Sequence, residues 1–347
     1  MKGEGMRVGR LLVVTVTLLV SCLFFDFAQG ADSLVRLTGA GASFPAPLYN
    51  KWFKDFHSQH QNVQVDYQSV GSGSGVKNFI NKTVDFGASD AAMSPEEIAQ
   101  IEGGAQLIPM TAGSIVLAYN LPEVPELKLS REAYAGIFLG KVTKWNDPSI
   151  VKTNPDAKLP DSPINVIVRA DSSGTTNVFT RHLAAISPEF AKSPGVNSMP
   201  NWAVGTRSKG NEGVTAGIRT TPGSIGYIEY GYAAGQKVPM VTIENKAGKF
   251  VKPTMEAALA SLASVALPED LIAWLPDPDS ENSYPIVTFT WMLFYKKYDP
   301  NKLQALKDVV GYCLSEGQKS SEQLGYIPLP ANVVEKDKAA LENIQAK

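Results

Sequence analysis

The sequence predicts an α/β fold with mostly parallel sheets, divided into two domains joined by hinge strands. Three observations support this. Strand-like and helix-like apolar spacings alternate after residue 30, and the breaks between them are short turns of Gly, Ser and Thr. The 347 residues, 44% hydrophobic with 29 Gly and 23 Pro, suit loop-rich globular domains of roughly 100–200 residues each. No polar linker interrupts the pattern, so the domains have to be connected through strands.

Composition removes several function classes. Lys plus Arg is 32 and Asp plus Glu is 34, so the net charge is −2 and no basic excess is available for nucleic acid or an anionic membrane. The only cysteines are Cys22 and Cys313, too few for a disulfide framework or a cysteine-built metal site. His57, His60 and His182 form no metal-binding spacing, and no cofactor motif is present.

Taken in order, the elements begin with a targeting segment. Lys2, Arg7 and Arg10 precede an apolar run over 11–25, and Ala28-Gln29-Gly30 supplies small residues for cleavage, so 1–30 reads as a secretory signal peptide. Leu19-Val20-Ser21-Cys22 is a competing lipoprotein box, disfavoured because Leu23-Phe24-Phe25 would leave an apolar stub where a polar tether belongs. Leu48, Trp52, Phe53 and Phe56 mark one helix face, with Pro45 in its first turn and Ser43 as the expected N-cap. Val63, Val65 and Tyr67 alternate as a strand, Gly71-Ser72-Gly73-Ser74-Gly75 breaks it, and Val76, Phe79 and Ile80 return at helical spacing. Ser94-Pro95-Glu96-Glu97 is a capping box. Residues 107–119 and 164–168 are apolar runs suited to strands buried on both faces. Leu303, Leu306, Val310, Cys313 and Leu314 are spaced as a buried helix face, which makes Cys313 a small hydrophobe.

Three strand-to-helix turns carry the chemistry. They are the Gly39–Pro47 segment, the Gly71–Gly75 run, and Arg169-Ala170-Asp171-Ser172-Ser173-Gly174-Thr175-Thr176, which feeds a helix marked by Val178, Phe179 and Leu183. A helix start offers unpaired N–H groups and about half a positive charge, so three that converge would make an anion site without lysine. Singly, each is also explained by ordinary capping. The glycines match neither the dinucleotide spacing GxGxxG nor a P-loop, since Lys77 is followed by Asn78. Arg169 ends an apolar strand, and Asp171, two residues on, shares its face and can hold the guanidinium as a fixed fork. Asp90 closes the strand-like segment Val84-Asp85-Phe86-Gly87-Ala88-Ser89-Asp90.

These segments, with Pro222-Gly223-Ser224-Ile225-Gly226-Tyr227-Ile228-Glu229-Tyr230, resemble in order the signature segments of the phosphate-binding proteins of bacterial phosphate-specific ABC transporters. The likeness runs from residue 37 to 330. It implies a periplasmic-binding-protein fold, two α/β lobes joined by two hinge strands and closing on inorganic phosphate. With 107–119 and 284–294 as crossing strands, one lobe holds 31–109 with 286–347 and the other 110–285. Carried over motif by motif, the ligand groups are Ser43, the Phe44 amide, Ser72, Asp90, Arg169, Ser173, Gly174 and Thr175, with Asp171 orienting the arginine. Ser43 stands where Thr is frequent in the family, and the altered glycine run leaves Ser74 as a rival to Ser72. The resemblance further implies a monomeric periplasmic protein without cofactor, with membrane permease and ATPase subunits as partners.

The chemistry of the residues agrees with that function. Phosphate at neutral pH still carries a proton and sulfate does not, so a buried Asp90 carboxylate accepts from the first and repels the second. Two alternatives are weighed. A receptor for sulfate or molybdate is opposed by Asp90. A secreted phosphoester hydrolase with Ser173 as nucleophile has no histidine near these motifs to activate it.

Overall fold

The computed structural model describes residues 34–263 and 265–347; the signal segment 1–30, Cys22 included, lies outside the described residues. Eight strands form one sheet: β1 (Val35–Gly41), β2 (Val63–Ser69), β3 (Phe86–Ser89), β4 (Ala105–Asn120), β5 (Asn165–Arg169), β6 (Thr206–Ser208), β7 (Ser224–Glu229) and β8 (Val287–Tyr295). Their spatial order is β2-β1-β3-β8-β4-β7-β5-β6.

The expectation of mostly parallel pairing holds only toward the two ends of this sheet. There β1 runs parallel to β2 and β3, and β5 runs parallel to β6 and β7. In the middle, β3, β8, β4 and β7 alternate in direction. The cause is β4, whose 16 residues span about 50 Å at 3.3 Å per residue, too long for one small sheet. Residues 105–114 of β4 pair with β8, and residues 115–120 then pair with β7. One strand thereby serves both halves of the sheet, and an apolar run buried along nearly its whole length is what the two-sided setting requires.

Four helices follow the parallel strands directly: α1 (Ala46–Gln59) after β1, α2 (Ser72–Ile80) after β2, α3 (Gly174–Ile186) after β5 and α4 (Gly210–Thr220) after β6. Each begins at the C-terminal end of its strand, the place where open α/β sheets bind ligands. The packing is set by apolar faces: Leu48, Trp52, Phe53 and Phe56 of α1 and Val178, Phe179 and Leu183 of α3 are all buried. Near the C-terminus, α5 (Pro300–Cys313) packs on α1 and β1 and buries Cys313 with Leu306 and Val310, and α6 (Ala331–Glu342) packs on α5 and β4. The capping box forms as read, with Ser94 Oγ accepting from the Glu97 N–H at 3.2 Å and Glu97 Oε2 from the Ser94 N–H at 2.8 Å.

Candidate functional site

The four helix starts meet. Ser43, Phe44, Ser72, Asp90, Arg169, Ser173, Gly174 and Thr175 are all buried, and hydrogen bonds tie most of them into one cluster. Asp90, one residue past β3, is its hub. Asp90 Oδ1 accepts from the Thr290 hydroxyl at 2.9 Å, Oδ2 accepts from the Thr175 hydroxyl at 3.2 Å, and the Asp90 N–H points at Ser72 Oγ, 3.4 Å away. Gly174 fits against this hub only because it lacks a side chain, since a Cβ there would lie 2.5 Å from Ser72 Oγ and 2.8 Å from the Asp90 backbone nitrogen. Ser72 is buried, whereas its rival Ser74 is exposed.

Arg169 and Asp171 form a two-pronged pair. Arg169 Nε and Nη2 donate to Asp171 Oδ1 and Oδ2 at 2.9 and 2.5 Å, and Asp171 Oδ1 also accepts the Gly210 N–H at 3.0 Å. Burial works to raise the Asp171 carboxyl, but the Arg169 hydrogen bonds and charge outweigh it and hold it below its usual range. The fork that alternation along an extended chain suggests is therefore present. The third arginine nitrogen, Nη1, is buried without a protein partner, a costly state for a cationic donor unless something anionic meets it. Gly71 fits beside this pair at φ 93°, where a Cβ would sit 2.3 Å from Asp171 Oδ2.

The charge balance within the cluster is narrow. Burial pushes the Asp90 carboxyl up to about 6, partly opposed by the Thr290 hydrogen bond and by Arg169. It is a carboxylate at neutral pH and a carboxylic acid in mild acid. Glu229, at the end of β7, is driven well above the usual carboxylate range by burial; its Oε1 accepts the Gly231 N–H at 2.8 Å and its Oε2 has no partner. Arg169 is thus paired with the Asp171 carboxylate and also acts on Asp90, whose charge it helps to hold.

Ser43 corrects one expectation: it does not cap α1. Helix α1 starts after Pro45 with no side-chain cap, and the Ser43 hydroxyl turns instead to α4, accepting from the Asn211 N–H at 3.0 Å and Asn211 Nδ2 at 2.9 Å. A fourth helix start competes for that oxygen and wins with two donors. Ser173 does cap α3, accepting from the Thr176 N–H at 3.0 Å. Phe44 is fully buried, with its ring edge-on to Tyr326 at 6.2 Å and its carbonyl accepting the Tyr326 hydroxyl at 2.7 Å.

Asn211 is the residue that sequence reading missed most completely. Its Nδ2 donates to Ser43 Oγ and, at 3.2 Å, to Thr175 Oγ1, and its Oδ1 accepts the Glu229 N–H at 2.9 Å. The signal was a fourth Gly-containing turn, Ser208-Lys209-Gly210-Asn211, after a strand of three residues too short to show alternation. Thr290 was hidden inside an apolar run, and Tyr227, whose hydroxyl meets Thr176 Oγ1 at 2.7 Å and accepts the Arg169 N–H at 3.2 Å, gave no local sign of a polar role. The histidines are engaged elsewhere: His57 with the Val63 carbonyl, His60 against Phe56, and His182 between Tyr134 and Pro276. Among the described residues no group of three His, Cys, Asp or Glu could hold a metal ion.

A family model described as a PBP superfamily domain matches residues 28–316. The phosphate-binding protein PstS of Pasteurella multocida is 40% identical over 330 residues, covering 93% of this chain and 94% of its own. PstS of Haemophilus influenzae is 41% identical over 317 residues, with 89% and 92% covered, and that of Methanocaldococcus jannaschii is 37% identical over 369 residues, with 96% and 95% covered. Among solved structures, a high-affinity periplasmic phosphate-binding protein (PfluDING) bound with phosphate superposes with a TM-score of 0.75 at 21% identity, over 88% of this chain and 93% of that one. The fold is the two-lobed α/β architecture of periplasmic binding proteins.

Proposed function

The chain belongs to the PstS family of phosphate-binding proteins within the PBP superfamily, and from that premise we propose that it captures inorganic phosphate and delivers it to an ABC importer. One observation carries the reading furthest: the buried Arg169 guanidinium, clamped by Asp171 on two nitrogens, keeps Nη1 without a protein partner. A tetrahedral oxyanion beside it would take that donor together with the helix starts at Ser43–Phe44, Ser72 and Ser173–Thr175.

The hydroxyls are wired to donate. Ser43 Oγ already accepts twice, which leaves its proton as its remaining hydrogen-bonding capacity. Ser173 Oγ and Ser72 Oγ each face a backbone N–H, so their protons are also free for a ligand. Asp90 is the single acceptor in the ligand set, and it would take the phosphate proton that sulfate lacks. Burial of Ser72 and exposure of Ser74 support Ser72 as the contacting serine. The lobes we assign are 31–109 with 286–347 and 110–285, and closure of one on the other would complete the set.

We read the chain as a binding protein rather than an enzyme, a reading supported by the engagement of His57 with the Val63 carbonyl and of His182 with Tyr134 and the Pro276 carbonyl, which leaves neither as a base for Ser173. We assign it to the periplasm as a monomer released by cleavage after Gly30, with permease and ATPase subunits as partners and no cofactor. Among the described residues no helix is long and apolar enough to cross a membrane.

Titration calorimetry of residues 31–347 with phosphate, sulfate, molybdate and a phosphate monoester tests the reading. Binding of phosphate alone is expected. Equal or tighter binding of sulfate or molybdate, or turnover of the monoester, would overturn it. Crystals grown without phosphate should show 31–109 and 286–347 moving as one body, and a different division would refute the lobe boundaries.

A further inference from the structure

Three consecutive carbonyls in the turn between β1 and α1 each accept a hydrogen bond from a tyrosine hydroxyl. Tyr67 donates to the Ala42 carbonyl at 2.7 Å, Tyr232 to the Ser43 carbonyl at 2.6 Å and Tyr326 to the Phe44 carbonyl at 2.7 Å. The three phenols arrive from separate segments. Tyr67 lies in β2, the direct neighbour of β1; Tyr326 precedes Ile327, which bridges to Ala112 of β4; Tyr232 lies in the short helix after β7. Burial raises all three phenols, so each stays protonated and donates.

These bonds do more than satisfy polar groups. A peptide unit is planar and conjugated, so a donor on its carbonyl fixes the plane and polarises the N–H on the opposite side. The Ser43 carbonyl shares its unit with the Phe44 N–H, the amide assigned to phosphate. Of the three tyrosines, only Tyr232 belongs to 110–285, the lobe facing this turn across the cleft. It grips Ser43 from the backbone side while Asn211, from the same lobe, grips the hydroxyl with two further bonds.

Resting on the phosphate-receptor reading, we propose that Tyr232 is a closure-dependent positioning residue: its hydroxyl docks on the Ser43 carbonyl only as the lobes close, and in docking it aims and strengthens the Phe44 N–H for the bound anion. Tyr67 and Tyr326 hold the same turn in both open and closed states. Ligand and Tyr232 then favour the same closed form, and each strengthens the other. Loss of the Tyr232 hydroxyl acts on release of the anion, since the encounter takes place in the open state before the bond exists.

Tyr232→Phe removes that one oxygen. Stopped-flow measurement of phosphate dissociation, paired with melting of the ligand-free protein, tests the proposal with Tyr67→Phe as control. For Tyr232→Phe we expect dissociation about tenfold faster, association within about twofold of wild type and an unchanged ligand-free melting temperature. For Tyr67→Phe we expect a lower ligand-free melting temperature and a dissociation rate within about twofold of wild type. An unchanged dissociation rate in Tyr232→Phe, or an equal acceleration in Tyr67→Phe, would overturn the role of Tyr232 while leaving the receptor reading intact. Failure of the wild type to bind phosphate at all would overturn both.

Discussion

Ser43 and Asn211, 168 positions apart in the chain, are joined by two hydrogen bonds of 3.0 and 2.9 Å that fill both acceptor positions of the serine oxygen. The serine proton is thereby committed to donating. Asn211→Ala frees the hydroxyl to rotate and also strips the Glu229 N–H of its acceptor. Phosphate binding should weaken about 10- to 100-fold, the equivalent of one to two buried hydrogen bonds. Calorimetry reads this directly, and an affinity within about twofold of wild type would show that Asn211 only fills space.

The Arg169–Asp171 pair separates charge from aim. Arg169→Ala removes a charge-assisted donor from a buried anion and should cost several kcal/mol of affinity, roughly 100-fold or more. Asp171→Asn leaves the arginine charged but loosens its plane, so the loss should be smaller. Phosphate affinities of the two variants decide the matter, and a larger loss for Asp171→Asn would reverse the roles.

Asp90 makes discrimination depend on pH. Burial raises its carboxyl to about 6, so above that value it is an anion that accepts from phosphate and repels sulfate. As pH falls through 6 it gains a proton and can donate to sulfate, so the phosphate-to-sulfate preference should shrink from pH 8 to pH 5. Asp90→Asn should bind phosphate somewhat more weakly at neutral pH, admit sulfate, and lose the part of the pH dependence centred near 6, leaving only that of phosphate's own ionisation. Competition calorimetry with both anions at the two pH values measures it; a wild-type ratio that does not move would place selectivity elsewhere.

Gly174→Ala should separate folding from capture. The added Cβ would meet Ser72 Oγ at 2.5 Å and the Asp90 Cβ and nitrogen at 2.8 Å, so segments 72–90 and 174 could no longer close on each other. We expect phosphate binding to fall at least about 100-fold with the ligand-free melting temperature almost unchanged. Retained tight binding would mean that this contact is not needed for the bound form.

His182 sets an acid limit on stability unrelated to the ligand. Burial lowers it to about 4, with Nδ1 donating to the Pro276 carbonyl at 2.7 Å and Nε2 accepting the Tyr134 hydroxyl at 2.9 Å. A base whose folded value is depressed contributes stability above about pH 6.5, and that contribution is lost as pH falls toward 4, at most about 3 kcal/mol. The melting temperature of His182→Gln should fall less than that of wild type between pH 7 and pH 4.5. Equal falls would assign acid sensitivity to other groups.

The polar cluster was legible in the sequence where its residues sit in turns with their own local grammar. Ser72, Ser173, Gly174, Thr175, Arg169 and Asp171 stand at strand ends and helix starts, and a fork such as Arg169–Asp171 follows from alternation alone. Asn211, Thr290 and Tyr227 were not legible, because each looks locally like a helix residue or a strand interior and gains its partner from a segment 18 to 200 residues away. Ser43 failed in the opposite sense. Its local grammar said helix cap, and a distant pair of donors took the oxygen instead.

By itself the sequence determined the α/β class, the helix starts after strands, the apolar faces of α1 and α3, and the absence of a basic surface, since periodicity, capping and charge are properties of neighbours along the chain. Tertiary structure alone decided that the centre of the sheet is antiparallel, that β4 serves both halves, that four helix starts converge, and that Asp90 sits among hydroxyls with a carboxyl raised to about 6. Those outcomes depend on which segments pack together and on how much water they exclude, and neither quantity is encoded in any short window of residues.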